Sequence, residues 1–183
     1  NTAMGSLAAD SLTTGAQNVA VGYAALSTAA TGNGNTAVGR AALNENTGSS
    51  NTAVGQDALE ANTSGGTNTA VGAQSLTANT TATGNTALGY FSLYANTTGD
   101  LNVACGNFAL DSNTVGDRSV AVGYAALHSQ NPTSKTDMNN VGVGLNAGAG
   151  VTTGSGNTLL GSEAGDILTT GANNTAIGFA ADP

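Results

Sequence analysis

The five residues Asn35-Thr36-Ala37-Val38-Gly39 recur, with small changes, along the whole chain. Copies begin at Asn1, Asn18, Asn35, Asn51, Asn68, Asn85, Asn102, Ser119, Asn140, Asn157 and Asn174. The eleven copies are spaced 17, 17, 16, 17, 17, 17, 17, 21, 17 and 17 residues apart. A fixed period this short means one supersecondary unit stacked on itself, because such a unit cannot enclose a core alone.

Each position of the motif has its own chemistry. The second is always β-branched, Thr in seven copies and Val19, Val103, Val120 and Val141 in the others. The third is Ala except at Gly142 and Leu159. The fourth is always apolar, and the fifth is Gly in all eleven copies. A β-branched residue, a small one and a bulky aliphatic make a short strand. The closing Gly supplies a backbone angle closed to other residues, or lets another segment come close. Ala-Leu or Ser-Leu follows in the middle copies (Leu26, Leu43, Leu59, Leu76, Leu93, Leu110, Leu127) and reads as a second short strand. Turns rich in Asn, Thr and Gly, such as Asn96-Thr97-Thr98-Gly99, return the chain.

The expected fold is therefore all-β: a parallel β-solenoid of about eleven 17-residue coils, forming one domain over residues 1–183. At about 4.8 Å per coil the rod would be roughly 50 Å long. Coils over 1–128 are regular, and 129–139 hold a four-residue insertion expected to form a rim loop. Coils over 140–183 are a variant in which Ala147-Gly148, Ala164-Gly165 and Ala181-Asp182 replace Ala-Leu. The chain opens inside a motif, as a piece of a longer product would, and carries no evident capping sequence.

Adjacent strand residues point to opposite sides, yet the third and fourth positions are both apolar. The Ala column suits a narrow interior. The other column, Val21, Val38, Val54, Val71, Leu88, Cys105, Val122, Val143, Leu160 and Ile177, is then a continuous apolar stripe in need of cover. Its expected cover is the same stripe on another copy, giving a homo-oligomer, a trimer packed along its length, with end-to-end filaments a further option at open strand edges. The first-position column, Asn18, Asn35, Asn51, Asn68, Asn85, Asn102, Asn157 and Asn174, is expected to form a structural ladder in which amides satisfy turn backbone and one another.

Composition excludes several function classes. Net charge is −8 with three basic residues, Arg40, Arg118 and Lys135, so nucleic acid is not an expected partner. No stretch is long and apolar enough for a membrane helix, and no signal peptide is evident. No catalytic residues are expected: His128 has no Ser or Cys partner pattern and reads as a solvated loop residue. Cys105, the single cysteine, reads as a small buried hydrophobe. Carboxylates (Asp10, Glu45, Asp57, Glu60, Asp100, Asp117, Glu163) do not recur in one column and the Ca²⁺-binding nonapeptide is missing, so neither metal nor cofactor is expected. Asn62, Asn79, Asn96 and Asn173 sit in Asn-x-Ser/Thr sequons and are candidate glycosylation acceptors in a glycosylating host. Tyr23, Tyr90, Tyr94 and Tyr124 could touch a receptor glycan or simply cover coil edges.

The pattern Asn51-Thr52-Ala53-Val54-Gly55-Gln56-Asp57-Ala58-Leu59 resembles the head repeats of trimeric autotransporter adhesins, over nearly the whole chain. That family's repeats are shorter, reading roughly Asn-Ser-x-Ala-Ile-Gly-x-x-Ala, and lack the Leu. The arrays are also similar to those of phage tail fibres and other fibrous surface proteins. The resemblance implies a trimer of left-handed β-rolls at a bacterial surface. The expected function is thus non-catalytic: the rod of an extracellular fibre, filament or adhesin at a cell or virion surface, meeting a host or surface receptor. The alternatives are a phage tail-fibre shaft and a monomeric ice-binding solenoid using the Thr-x-Val face.

Overall fold

The computed structural model describes residues 1–28 and 31–183. It is a parallel β-solenoid without helices among those residues. Eleven three-residue strands form one sheet: β1 (Thr2–Met4), β2 (Val19–Val21), β3 (Thr36–Val38), β4 (Thr52–Val54), β5 (Thr69–Val71), β6 (Thr86–Leu88), β7 (Val103–Cys105), β9 (Val120–Val122), β11 (Val141–Val143), β12 (Thr158–Leu160) and β13 (Thr175–Ile177). Two short strands, β8 (Gly116–Asp117) and β10 (Thr136–Asp137), pair separately. Each main strand pairs with its counterpart one coil on, Ala against Ala and Val against Val, as in Ala37↔Ala53 and Val38↔Val54. The ten pairings define about ten turns of the solenoid.

The register survives the one short coil. In full-length coils a buried Asn donates to a carbonyl three residues on, as Asn62 does to Gly65; in the short coil Asn46 reaches Gly48, two residues on. The turn absorbs the deletion, and β3 and β4 stay aligned.

The expected second strand is not one. The Ala-Leu segment is a ribbon of turns in which alternate residues have positive φ: Ala41 and Leu43 lie at +53° and +52°, Ala24 and Leu26 at +53° and +52°. The amides of Ala41 and Leu43 turn toward opposite neighbours, while that of Ala42 between them donates to Gly39 of its own coil. Ala41 N–H donates back to Tyr23 in the preceding coil, and Leu43 N–H donates forward to Ala58 in the next. Of the alternating positions in this ribbon, Ala41, Leu43, Asp57, Leu59, Gln74, Leu76, Phe91, Leu93, Phe108 and Leu110 all have positive φ, and none is β-branched. A β-branched side chain is costly in this region, whereas Ala and Leu bear a smaller strain. Before each ribbon, Gly39 and its equivalents make the bend. Gly39 has φ +135°, and a Cβ there would lie 2.4 Å from the Gly55 carbonyl oxygen, so angle and space both demand glycine.

The core is the space between sheet and ribbon. The Ala column (Ala20, Ala37, Ala53, Ala70, Ala87, Ala104, Ala121) and the Leu column (Leu26, Leu43, Leu59, Leu76, Leu93, Leu110, Leu127) are fully buried against each other. In the variant coils Gly148 and Gly165 take the Leu place, and the void is filled from the opposite wall by Leu159, which stands where other strands have Ala. A Cβ on Gly148 would lie 2.6 Å from Leu159 Cδ1, and one on Gly165 the same distance from Leu159 Cδ2. Gly142 in turn makes room for Leu127, whose Cγ would be 2.9 Å from a Cβ there. The departures at Gly142, Leu159, Gly148 and Gly165 are therefore one packing exchange, in which Leu159 and Leu127 occupy space that the glycines leave.

Candidate functional site

The outward face of the sheet carries the second and fourth motif positions side by side. The Thr or Val of the second position is half-buried from β2 to β11. The fourth position is half-buried at Val21, Val38, Cys105, Val122 and Val143, and exposed at Val54, Val71, Leu88, Leu160 and Ile177. Even mid-rod, Val54, Val71 and Leu88 are 36%, 39% and 38% accessible. In the single chain the stripe is an uninterrupted aliphatic strip in solvent, while the Ala side of the same strands is sealed. Cys105 is a half-buried free thiol on this outer face, not a core residue.

Behind the sheet run two buried amide ladders. In the first, each Asn Oδ1 accepts the backbone N–H of the Asn one coil on, as Asn35 does for Asn51 at 2.9 Å. Its Nδ2 donates across the coil to a turn carbonyl, as Asn35 does to Gly48 and Asn85 to Gly99, both at 2.9 Å. Asn18, Asn51, Asn68, Asn102 and Asn157 repeat the arrangement. Asn174 takes part as a donor, through its backbone N–H and Nδ2 to Asn157 Oδ1. The second ladder, Asn46, Asn62, Asn79, Asn96, Asn113 and Gln130, was missed as a ladder by the sequence reading. Each Nδ2, or Nε2 of Gln130, donates to the preceding side-chain oxygen, as Asn79 does to Asn62 at 2.7 Å. Its signal was plain periodicity, but the residues lie in turns whose composition already explains Asn. Ladder one breaks at Ser119, whose side chain is too short; there Gln130 Oε1 accepts from Ser119 Oγ and Asn140 Nδ2 at 3.0 and 2.9 Å and bridges the gap.

This corrects the sequon reading. Asn62, Asn79 and Asn96 are fully buried, and each Nδ2 is committed to a ladder partner and a turn carbonyl. They are not acceptors in the folded chain. Asn173 alone of the four is exposed.

The insertion is also more ordered than a rim loop. Its Thr136-Asp137 pairs in parallel with Gly116-Asp117, and Met138 is buried beneath it. The carboxylates do stack here: Asp117 Oδ1 accepts from Asp100 N–H at 2.6 Å, and Asp100 Oδ1 from Thr83 N–H at 2.7 Å. Lys135 Nζ reaches back to Asp100 Oδ2 at 2.6 Å and to the Thr98 carbonyl at 2.7 Å, and Arg118 pairs with Asp137 at 2.7 Å. Burial opposes ionisation of Asp100, but the Lys135 and Thr83 hydrogen bonds and the Lys135 charge outweigh it and hold the carboxyl below its usual value. The Asp100 hydrogen bond and charge raise Lys135 in turn, against a smaller cost of burial. Arg40 pairs with Asp57 at 2.7 Å, so all three cations are engaged.

One rim edge differs from the rest. Tyr90, Phe91, Phe108 and Tyr124 follow the Gly bends of three successive coils, and Tyr94 lies beside Phe91 with ring centroids 4.5 Å apart. Phe91–Phe108, Tyr90–Phe108 and Phe108–Tyr124 centroids are 5.8, 5.6 and 5.8 Å apart. In the column of Tyr94, the next two coils carry Asp111 and His128. His128 Nδ1 lies 2.5 Å from Asp111 Oδ1, a close polar contact rather than an aligned hydrogen bond. Burial raises Asp111 above the usual carboxylate value against the pull of His128. His128 thus lies in a turn of the rim, as expected, with its ring partly in solvent and beside Asp111. Among the described residues no group of three or more His, Cys, Asp or Glu is arranged to hold a metal. Among the described residues no helix is long and apolar enough to cross a membrane.

No protein-family model, no curated protein and no solved structure matches the chain.

Proposed function

We propose that the chain is the rod of an extracellular fibre or surface adhesin, built as a homotrimer whose subunits pack through their Val-bearing faces. The observation that carries this reading is the outer strip of Val54, Val71, Leu88 and their equivalents, exposed along a coil that is already closed by its own Ala, Leu and Asn columns. The strip contributes nothing to the core of its own chain. A sister chain with the same repeat presents matching aliphatics at every step, so one translation aligns all contacts. The work of such a molecule is mechanical and presentational: a stiff spacer whose rim meets the outside. The trimer number comes from the resemblance to adhesin heads; a tail-fibre shaft uses the same physics.

The test is the native mass in dilute buffer, by sedimentation equilibrium. The expected value is three times the 17.5 kDa of one chain. A single-chain particle would overturn the reading.

A second reading draws on a specific feature of the same face. Thr and Val stand in register over the parallel strands, a flat two-column array of the kind that orders water as ice does. It requires a monomer that shows thermal hysteresis, so the same mass measurement separates the two.

A further inference from the structure

We infer that the aromatic edge of coils six to eight is a binding platform for a neutral oligosaccharide: Phe91, Tyr94 and Phe108 stack against pyranose rings, Tyr90 and Tyr124 wall them edge-on, and His128, beside Asp111, meets a sugar hydroxyl. The inference names what a displayed rod would touch and takes its setting from the reading above; binding itself is measured without it.

The coil does not need these rings. In the column of Phe91 and Phe108, other coils carry Ala24, Ala41, Gln74 and Ala125 at the same positive φ, and in the column of Tyr94 they carry Ser27, Asn44 and Thr77. The chain has seven Tyr and Phe in all, and five of them lie in contact here. Their solvent-facing members are costly to leave exposed: Tyr90 is 45% and Tyr124 51% accessible. Phe91 is inclined by 33° to both Tyr94 and Phe108, while Tyr90 and Tyr124 stand edge-on to Phe108 at 88° and 74°, as walls beside those three rings. A protein partner of ordinary kind would want apolar depth; here the strip is shallow, edged by phenol hydroxyls, and flanked by an imidazole and a carboxylate. That mixture fits a sugar, which has apolar C–H faces and hydroxyl edges. With Nδ1 on Asp111, Nε2 is the ring nitrogen left for a hydroxyl, either donating or accepting.

Charge selects among glycans. Arg40, Arg118 and Lys135 are each paired with an aspartate, so no cation is free to take a carboxylate or a sulfate. The net charge of −8 repels polyanions. Neutral sugars are left.

The experiment titrates the intact chain, by calorimetry, with cellohexaose, chitohexaose, maltohexaose and mannohexaose, and with sialyllactose and a heparin hexasaccharide as anionic counterparts. At least one neutral sugar is expected to bind, and neither anion to bind more tightly. Phe91→Ala with Phe108→Ala should weaken binding about tenfold or more. His128→Ser should weaken it less. Every variant copies a residue that another coil holds in that place, so thermal unfolding should stay near wild type and loss of binding is not loss of fold. Absence of binding by all four neutral sugars overturns the inference, as does binding indifferent to the Phe pair or tighter binding of an anion. A double variant that changes the mass of the assembly instead would make the strip an interface between copies, which also overturns it. The mass of the wild-type assembly reports separately on the rod reading.

Discussion

The buried asparagines are where single residues matter most. Asn79 gives one Nδ2 hydrogen to Asn62 Oδ1 at 2.7 Å and the other to the Ala82 carbonyl at 3.2 Å, while its own Oδ1 accepts from Asn96 at 3.1 Å. Replacing it with Ala leaves one acceptor, Asn62 Oδ1, and one hydrogen of Asn96 Nδ2 buried without partners, while the Ala82 carbonyl keeps Asn68 Nδ2 at 2.8 Å. Such orphaned groups cost about 1–3 kcal/mol each, so Asn79→Ala should destabilise the chain by at least about 2 kcal/mol in urea unfolding. Asn173→Ala, at an exposed site, should change little. Equal effects of the two would remove the ladder from the list of things that hold the coil. Sequence alone revealed the first ladder, because Asn stands at a fixed place before an apolar strand. It did not reveal the second, because Asn in a turn needs no further explanation. What separates a ladder Asn from a turn Asn is burial, and burial becomes visible only when coils are superimposed.

At the scale of the element, strands and register followed from the repeat, and the ribbon did not. Ala-Leu is compatible with a strand and with alternating turns. The missing clue was negative: no Val, Ile or Thr stands where φ is positive in the ribbon, at Ala41, Leu43, Leu59, Gln74, Leu76, Leu93 and Leu110. The volume exchange around Leu159 was likewise hidden, since Gly148 and Gly165 look like loop residues until they face a leucine from the other wall. That exchange is testable as a cycle. Leu159→Ala alone should cost about 2–5 kcal/mol, the usual range for a buried leucine. Gly165→Leu alone should also destabilise, by overpacking against Leu159. The double variant sets Leu opposite Ala again in that coil, with the space at Gly148 still vacated, and should recover part of the loss; additive losses in thermal unfolding would disprove the exchange. The insertion strand makes a pH prediction. Asp100 is held below its ordinary 3.8, so its support is full above that value and fades as pH falls through the lowered one. Lys135 is held above its ordinary 10.5, so its support is full below that value and fades as pH rises past the raised one. Protection of the amides at Thr136–Met138, taken relative to the intrinsic exchange rate at each pH, should be greatest between those limits and fall at both ends. The amides of Val141–Val143, bonded within the main sheet, should not follow.

For the whole molecule, the question is what the outer strip does when chains meet. A solenoid sealed by its own columns should fold whether or not it assembles, so assembly and folding can be separated by substitution on that strip. Val54→Asp with Val71→Asp puts two carboxylates in the middle of the stripe, on residues already 36% and 39% accessible in one chain. These side chains are partly in water but lie in register across β4 and β5, so the two like charges should lower the urea stability of an isolated chain by about 1–3 kcal/mol without unfolding it. In a threefold assembly each substitution occurs three times around one axis, where like charges repel and none finds a basic partner, since Arg40, Arg118 and Lys135 are engaged elsewhere. The expected result is a folded particle with the mass of one chain in place of three, and with the parallel-sheet signature intact by circular dichroism. If the substituted protein keeps its wild-type mass, the strip is not what joins the chains. If the wild type is itself a single chain and the pair of substitutions abolishes thermal hysteresis, the face meets ice, and the array of Thr and Val along the strands is a binding surface for ordered water.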